Sequence, residues 1–190
     1  MKKEIEIKLK IDKETFDKFI KDRSKFQFEK TYGFFMNEYK NMEKGIFPRI
    51  KEVIEKDSRK AYVTVKVKNK KEKNLGNLFI RDEYEFLLEN VDDEKINGVR
   101  GIFFALEYPI EHIFEKRRYR LENINNCDFV VDELPFGYFI EIEGEEDNIE
   151  KSILELGLEK NERINKAYLK LWDEYKTQNN LTGECIFNTQ

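Results

Sequence analysis

Several residue types that usually announce chemistry are scarce in this chain. Its 190 residues hold one histidine, His112, and two cysteines, Cys127 and Cys185. The cysteines lie far apart with no Cys-x-x-Cys and no histidine beside them, so ordinary reduced thiols are expected rather than a thiolate metal site. A lone histidine and the lack of Gly-x-Ser-x-Gly exclude a familiar hydrolase triad, and His112 reads as structural. No glycine-rich loop runs into Gly-Lys-Ser/Thr, which excludes a P-loop. No apolar run is long enough to span a bilayer, and the start, Met-Lys-Lys-Glu, has no signal-peptide pattern. The sequence-level expectation is therefore a cytoplasmic protein with no membrane partner. Asn180-Leu181-Thr182 matches a glycosylation sequon but carries no weight without a secretory signal. With 3 prolines and no Pro/Ser-rich linker, the chain is expected to form a single domain over 1–190, its tail at 178–190.

What the chain has in abundance is charge and aromatic rings. Charged residues make up 39% and hydrophobic ones 39%, with 16 Phe and 9 Tyr, a composition that folds. The net charge of −4 argues against general nucleic-acid binding. Basic and aromatic residues do interleave from Lys116 to Arg120, but their acidic neighbours count against a single-strand groove.

The patterning of that charge is the informative feature. Residues 4–11 alternate with period two: Ile5, Ile7, Leu9 and Ile11 on one face, Glu4, Glu6, Lys8 and Lys10 on the other. The same alternation sets Thr64, Lys66 and Lys68 against Val63, Val65 and Val67. It sets Arg81, Glu83 and Glu85 against Ile80, Asp82, Tyr84 and Phe86, collects Lys116, Arg118 and Arg120, and sets Glu141 and Glu143 against Ile140 and Ile142. Helices are expected between these strands: one capped by Asp12 with Phe16, Phe19 and Ile20; one over 92–107; and one capped by Asp147 and Glu150 and ended by Gly157. A last helix is expected with a core-facing stripe from Ile164 through Ala167, Tyr168, Leu171 and Trp172 to Tyr175. Three times a Glu-x-Glu strand leads into an acid-capped helix, from Glu4, Glu83 and Glu141, a loose internal repeat. The Lys/Asn-rich stretch 69–77 is expected as a loop, and Cys185, Ile186 and Phe187 as a short docked strand.

One strand with a charged face is simply the wet side of an antiparallel sheet. Wet faces usually mix Thr, Ser, Gln and Lys, however, whereas these carry almost only Glu, Lys and Arg. Helices with apolar stripes can cover the apolar faces, leaving the charged faces to meet inside a closed sheet. Burying those charges costs several kcal/mol each unless partners compensate. Clustered carboxylates suit a hard divalent cation and clustered Lys and Arg suit a polyanion, so together they point to a metal–polyphosphate complex.

In order along the chain stand Glu4-x-Glu6-x-Lys8, Arg49-Ile50-Lys51, Thr64-Val65-Lys66, Arg81-x-Glu83-x-Glu85, Lys116-x-Arg118, Asp132, Gly137-Tyr138-Phe139-Ile140-Glu141-Ile142-Glu143, Leu156-Gly157 and Tyr168. This series, over about residues 1–172, resembles the CYTH superfamily, the triphosphate tunnel metalloenzymes. The resemblance implies an α+β fold: a closed antiparallel β-barrel of about eight strands forming a charged tunnel, with helices outside. It implies Mg²⁺ or Mn²⁺ held by Glu4, Glu6, Asp132, Glu141 and Glu143. It implies a triphosphate gripped by Lys8, Arg49, Lys51, Lys66, Arg81, Lys116 and Arg118, with Glu83 and Glu85 as further lumen acids and with Lys8, Glu4 and Glu6 in catalytic roles. Strand parity favours Arg118 over Arg117, which should point outward.

Members of that superfamily include inorganic and thiamine triphosphatases and class IV adenylate cyclases. The expectation for this chain is metal-dependent hydrolysis of inorganic triphosphate or a small organic triphosphate. The alternatives are cyclisation of ATP to cyclic AMP and pyrophosphate, or a non-catalytic polyphosphate- or nucleotide-binding module. The chain departs from the pattern where Lys51 replaces an Arg of Arg-x-Arg, where Tyr32-Gly33-Phe34-Phe35 lacks two acids, and where Ala167 replaces a Ser before the Tyr. Oligomeric state is not legible at this level.

Overall fold

The computed structural model describes residues 2–21, 26–36, 45–55, 58–68 and 79–187. The Lys/Asn-rich stretch 69–77 lies outside them.

The strands are β1 (Lys2–Ile11), β2 (Gln27–Phe35), β3 (Ile46–Glu55), β4 (Ser58–Lys68), β5 (Phe79–Leu88), β6 (Ile110–Arg120), β7 (Asp128–Leu134), β8 (Gly137–Glu143) and the short β9 (Arg163–Ile164). The helices among the described residues are α1 (Lys13–Ile20), α2 (Asp93–Ala105), α3 (Glu146–Glu155) and α4 (Tyr168–Asn179). Neighbours run β5-β4-β3-β2-β6-β7-β8-β1, and β1 pairs back onto β5, closing an eight-stranded antiparallel barrel. The α+β barrel with helices outside is thus the observed architecture.

β1 serves two neighbours on one edge. Residues Lys2–Glu6 pair with β5, and β9 pairs with Lys8 and Leu9 beyond it. That pairing corrects the expected last helix. Ile164 is a strand residue bonded to β1, and the helix starts only at Tyr168. The edge of β1 past β5 would otherwise expose unpaired backbone, which a two-residue strand supplies.

The barrel is apolar outside and charged inside. On the outer face of β1, Ile7 and Leu9 are wholly buried and join Phe16, Phe129, Val131, Ile140, Ile142, Ile149 and Ile153 in a core beneath α1 and α3. Under α2 lies a second core of Tyr32, Phe34, Ile50, Ala61, Val63, Ile96 and Phe103. A third, with Leu134, Phe139, Tyr168, Trp172 and Cys185, forms where α4 meets the barrel end.

Capping follows the acids that open the first two helices. Asp12 accepts from Thr15 N at 2.8 Å and Asp92 from Lys95 N at 2.8 Å. The third copy of the repeat differs: α3 begins after Glu145, with Asp147 already inside the first turn and no side-chain cap. Gly157 ends α3 at φ +69, with Leu158 N bonded to Ile153 O at 2.9 Å, a left-handed cap that glycine adopts without strain.

The C-terminal tail does dock. Cys185 bridges Phe114 in parallel, Cys185 N donates to Ile113 O at 3.2 Å, and Glu115 N donates to Cys185 O at 2.8 Å. β7 pairs only with Arg117–Arg120, so the tail occupies the stretch of β6 edge that β7 leaves.

Candidate active site

Because side chains alternate along each strand and the barrel is closed, one parity class of every strand enters the lumen. The lumen holds a cavity of about 310 Å³. Its wall carries eight carboxylates (Glu4, Glu6, Glu29, Glu83, Glu85, Asp128, Glu141, Glu143) and eight bases (Lys8, Arg49, Lys51, Lys66, Arg81, Lys116, Arg118, Arg120). Every site residue that the resemblance implied stands on that wall except Asp132, whereas Lys10 and Lys68, expected on the charged faces, are exposed.

Cross-strand register explains the pairing. Glu4 lies opposite Arg81, Lys66 opposite Glu83, and Lys8 opposite Glu141. Lys66 Nζ bonds Glu4 Oε2 at 2.6 Å, Arg81 Nη2 bonds Glu6 Oε1 at 2.6 Å, and Arg49 Nη2 bonds Glu83 Oε1 at 3.2 Å. Lys8 Nζ sits 3.2 Å from Glu141 Oε1 and 4.4 Å from the centre of the Tyr168 ring. Burial pushes the Glu4 carboxyl up, but Lys66 and Arg81 outweigh it and hold it below its ordinary value. Burial also pushes Glu141 up, and Arg118, Lys8 and Lys116 bring it well below that range. Lys51 goes the other way: burial, with Arg49 beside it, pushes its ammonium down to about 8 against the partial offset of Glu29 and Glu85. Arg49 Nε is buried with no hydrogen-bond acceptor among the described residues, a donor that a lumen anion would satisfy.

Asp132 is enclosed behind the wall, with no exposed surface. It accepts from Arg118 Nε at 2.7 Å and Nη2 at 2.6 Å, from Lys116 Nζ at 3.1 Å and from Tyr168 Oη at 3.0 Å. Its oxygens are spent fixing two bases and one helix. Arg117 faces outward, 3.2 Å from Glu133 and stacked on Phe187.

One lumen acid escaped the sequence pattern. Glu29, only 1% exposed, enters the lumen from β2 at 3.2 Å from Lys116. Its parity with Thr31 and Gly33 was the available signal, masked because Phe34 and Phe35 make both faces of β2 apolar farther on. Tyr168, which the motif series and the core-facing stripe both include, also reaches the lumen: α4 enters the barrel end with its first turn, and the Tyr168 ring lies under both Lys8 and Lys116. Gly33 permits this entry, since a Cβ there would stand 3.1 Å from Leu169 Cδ1.

The carboxylates fit a divalent cation of one kind. Glu6 lies opposite Glu143, and Glu143 opposite Asp128, like charges side by side that a cation would stabilise. Among the described residues no group of three metal-ligating side chains converges to a ready cage. Mg²⁺ is commonly held by one or two carboxylates with its remaining positions filled by other ligands, so Glu6 and Glu143 could hold such a cation only with ligands from outside the chain.

No helix among the described residues is long and apolar enough to cross a membrane. No family model matches the chain, and no curated protein matches it. Solved structures do. The PH1819 protein from Pyrococcus horikoshii OT3 is 21% identical, with a TM-score of 0.63 over 90% of this chain and 99% of its own. A Bacillus halodurans protein proposed to be an adenylate cyclase is 15% identical, with a TM-score of 0.63 over 90% of this chain and 99% of its own. A Hippeastrum protein proposed to be an adenylyl cyclase, with a dominant triphosphatase activity, is 16% identical, with a TM-score of 0.61 over 90% of this chain and 96% of its own. At these identities the likeness establishes the fold: the chain is built on the same barrel as these proteins, as the CYTH-like order of its motifs implied.

Proposed function

We propose that the lumen binds a triphosphate group together with Mg²⁺ or Mn²⁺ and hydrolyses it. The observation that carries this reading is the balance of eight carboxylates against eight bases on one wall. A site for a bare polyanion would be basic throughout, whereas a balanced one suits an anion and a cation entering together. Phosphate oxygens would draw Arg49, Lys51, Lys66, Arg81 and Lys116 away from their carboxylate partners. Glu6, released from Arg81, would then hold the metal with Glu143. When bound, such a cation offsets charge on phosphate oxygens and lowers the pKa of a coordinated water. The chain's own part is positioning and charge: Asp132 and Tyr168 fix Arg118 and Lys116, and burial beside Arg49 brings the Lys51 ammonium down to about 8.

The triphosphatase activity of the Hippeastrum protein supports hydrolysis over the other outcomes. A second reading, cyclisation of a nucleoside triphosphate, is favoured by the apolar stretch of wall at Phe35, Phe47, Phe114 and Leu169, which would suit an organic group. One incubation series separates them: inorganic triphosphate, thiamine triphosphate and ATP, each with Mg²⁺ or Mn²⁺, measuring phosphate and cyclic AMP. Phosphate release lost in Glu6→Ala and Glu143→Ala supports hydrolysis. Cyclic AMP lost in the same variants overturns it in favour of cyclisation, and tight binding without product leaves a binding module.

A further inference from the structure

Glu29 has no counterpart in the motif series, and with Glu141 it is one of two lumen-wall acids set against Arg118. It is 1% exposed, yet it sits on the cavity wall rather than behind it. Its two oxygens face Lys116 Nζ at 3.2 Å and Arg118 Nε at 3.9 Å. Burial pushes its carboxyl up, but Lys116, Arg118 and Lys51 outweigh burial and bring it down to about 2, so it is ionised at neutral pH.

Asp132 contacts the same two bases from the other side, and the contrast defines the role of each. Asp132 takes well-formed hydrogen bonds from Arg118, Lys116 and Tyr168. Glu29 Oε2 lies 3.2 Å from Lys116 Nζ in poor alignment, and Oε1 is 3.9 Å from Arg118 Nε, too far to bond. Glu29 therefore supplies negative charge to the Lys116–Arg118 pair while taking no donor of Arg118. A carboxylate so placed resembles an anion already in residence. An arriving phosphate group meets the same two cations and is repelled by the charge beside them.

We propose that Glu29 is a built-in counter-anion that competes with polyphosphate for Lys116 and Arg118, and so limits how tightly substrate and product are held. The inference rests on the triphosphate reading. Glu29 is a positioning residue: it acts through two bases and touches no reacting atom. Its competition keeps Lys116 and Arg118 neutralised and ordered while the lumen is empty, and weakens the grip on phosphate after cleavage.

The test is calorimetric titration of inorganic triphosphate with Mg²⁺ into the wild-type chain, Glu29→Gln and Glu29→Asp, with steady-state phosphate release alongside. Removing one nearby negative charge is expected to tighten triphosphate binding by about tenfold in Glu29→Gln, with KM and kcat both falling as product leaves more slowly. Glu29→Asp keeps the charge and should stay within about threefold of wild type on the tighter side, because one methylene withdraws it from the bases. A residue that merely held the wall together would weaken binding when replaced. Equal or weaker triphosphate affinity in Glu29→Gln overturns the competition. If that variant does not fold, weaker affinity in Glu29→Asp does the same. Wild-type protein that binds no triphosphate overturns the triphosphate reading, and the competition with it.

Discussion

Lys51 should give the lumen two opposite pH dependences. Its ammonium lies at about 8 against an ordinary 10.5, a depression of about 2.5 units or about 3 kcal/mol. The cause is burial next to Arg49, partly offset by Glu29 and Glu85. The folded chain therefore holds this proton less tightly than the unfolded chain. Between about pH 8 and 10.5 the unfolded state binds more protons, so stability from this group rises with pH by up to about 3 kcal/mol. Triphosphate affinity should run the other way. Phosphate oxygens stabilise the ammonium, so binding takes up a proton above pH 8, and affinity falls toward about tenfold per pH unit there. The assay is calorimetric titration at pH 7, 8, 9 and 9.5 in buffers of differing ionisation enthalpy, comparing wild type with Lys51→Arg. Ionisation of the ligand is common to both proteins, so the difference isolates Lys51. The same slope in Lys51→Arg as in wild type, or no proton uptake by wild type above pH 8 beyond that of Lys51→Arg, refutes the reasoning.

Tyr168→Phe removes the bond to buried Asp132 but keeps the ring under Lys8 and Lys116; it should cost about 1.5–3 kcal/mol by urea unfolding, and Tyr168→Leu more. Glu143→Gln should remove the Mg²⁺ dependence of triphosphate binding while leaving Mg²⁺-free binding equal or tighter, read by titration with and without chelator. Ending the chain at Thr182 deletes six hydrogen bonds among the described residues that tie the tail to β6 and Trp172, and should lower stability by about 2–5 kcal/mol in the same unfolding assay.

The sequence made the strands with cleanly divided faces legible, because period two is unmistakable when one face is Ile or Val and the other Glu, Lys or Arg. That covers β1, β4, β5, β6 and β8. β7 was opaque because Val130 faces the lumen between Phe129 and Val131, which turns alternation into an apolar run. Glu29 and Glu52 show the limit most clearly. Both are 1% exposed acids in strands of mixed pattern, yet they face opposite ways. Glu29 faces the lumen, whereas Glu52 is buried outside the barrel, bonded to Tyr32 Oη at 2.7 Å and Arg59 Nε at 2.6 Å. Only the register of β2 against β3 and the placement of α2 decide that. Asp132 was named only through the resemblance, and its enclosure depends on α4 delivering Tyr168 from 36 residues away.

The central claim is that one balanced lumen holds a cation and a triphosphate together. A crystal grown with inorganic triphosphate and Mn²⁺ tests it through the anomalous signal of manganese. The expected result is a manganese peak bounded by Glu6, Glu143 and phosphate oxygens, with the triphosphate lying along Arg49, Lys66 and Arg81. Manganese bound away from these carboxylates, or triphosphate found only outside the barrel, would contradict it.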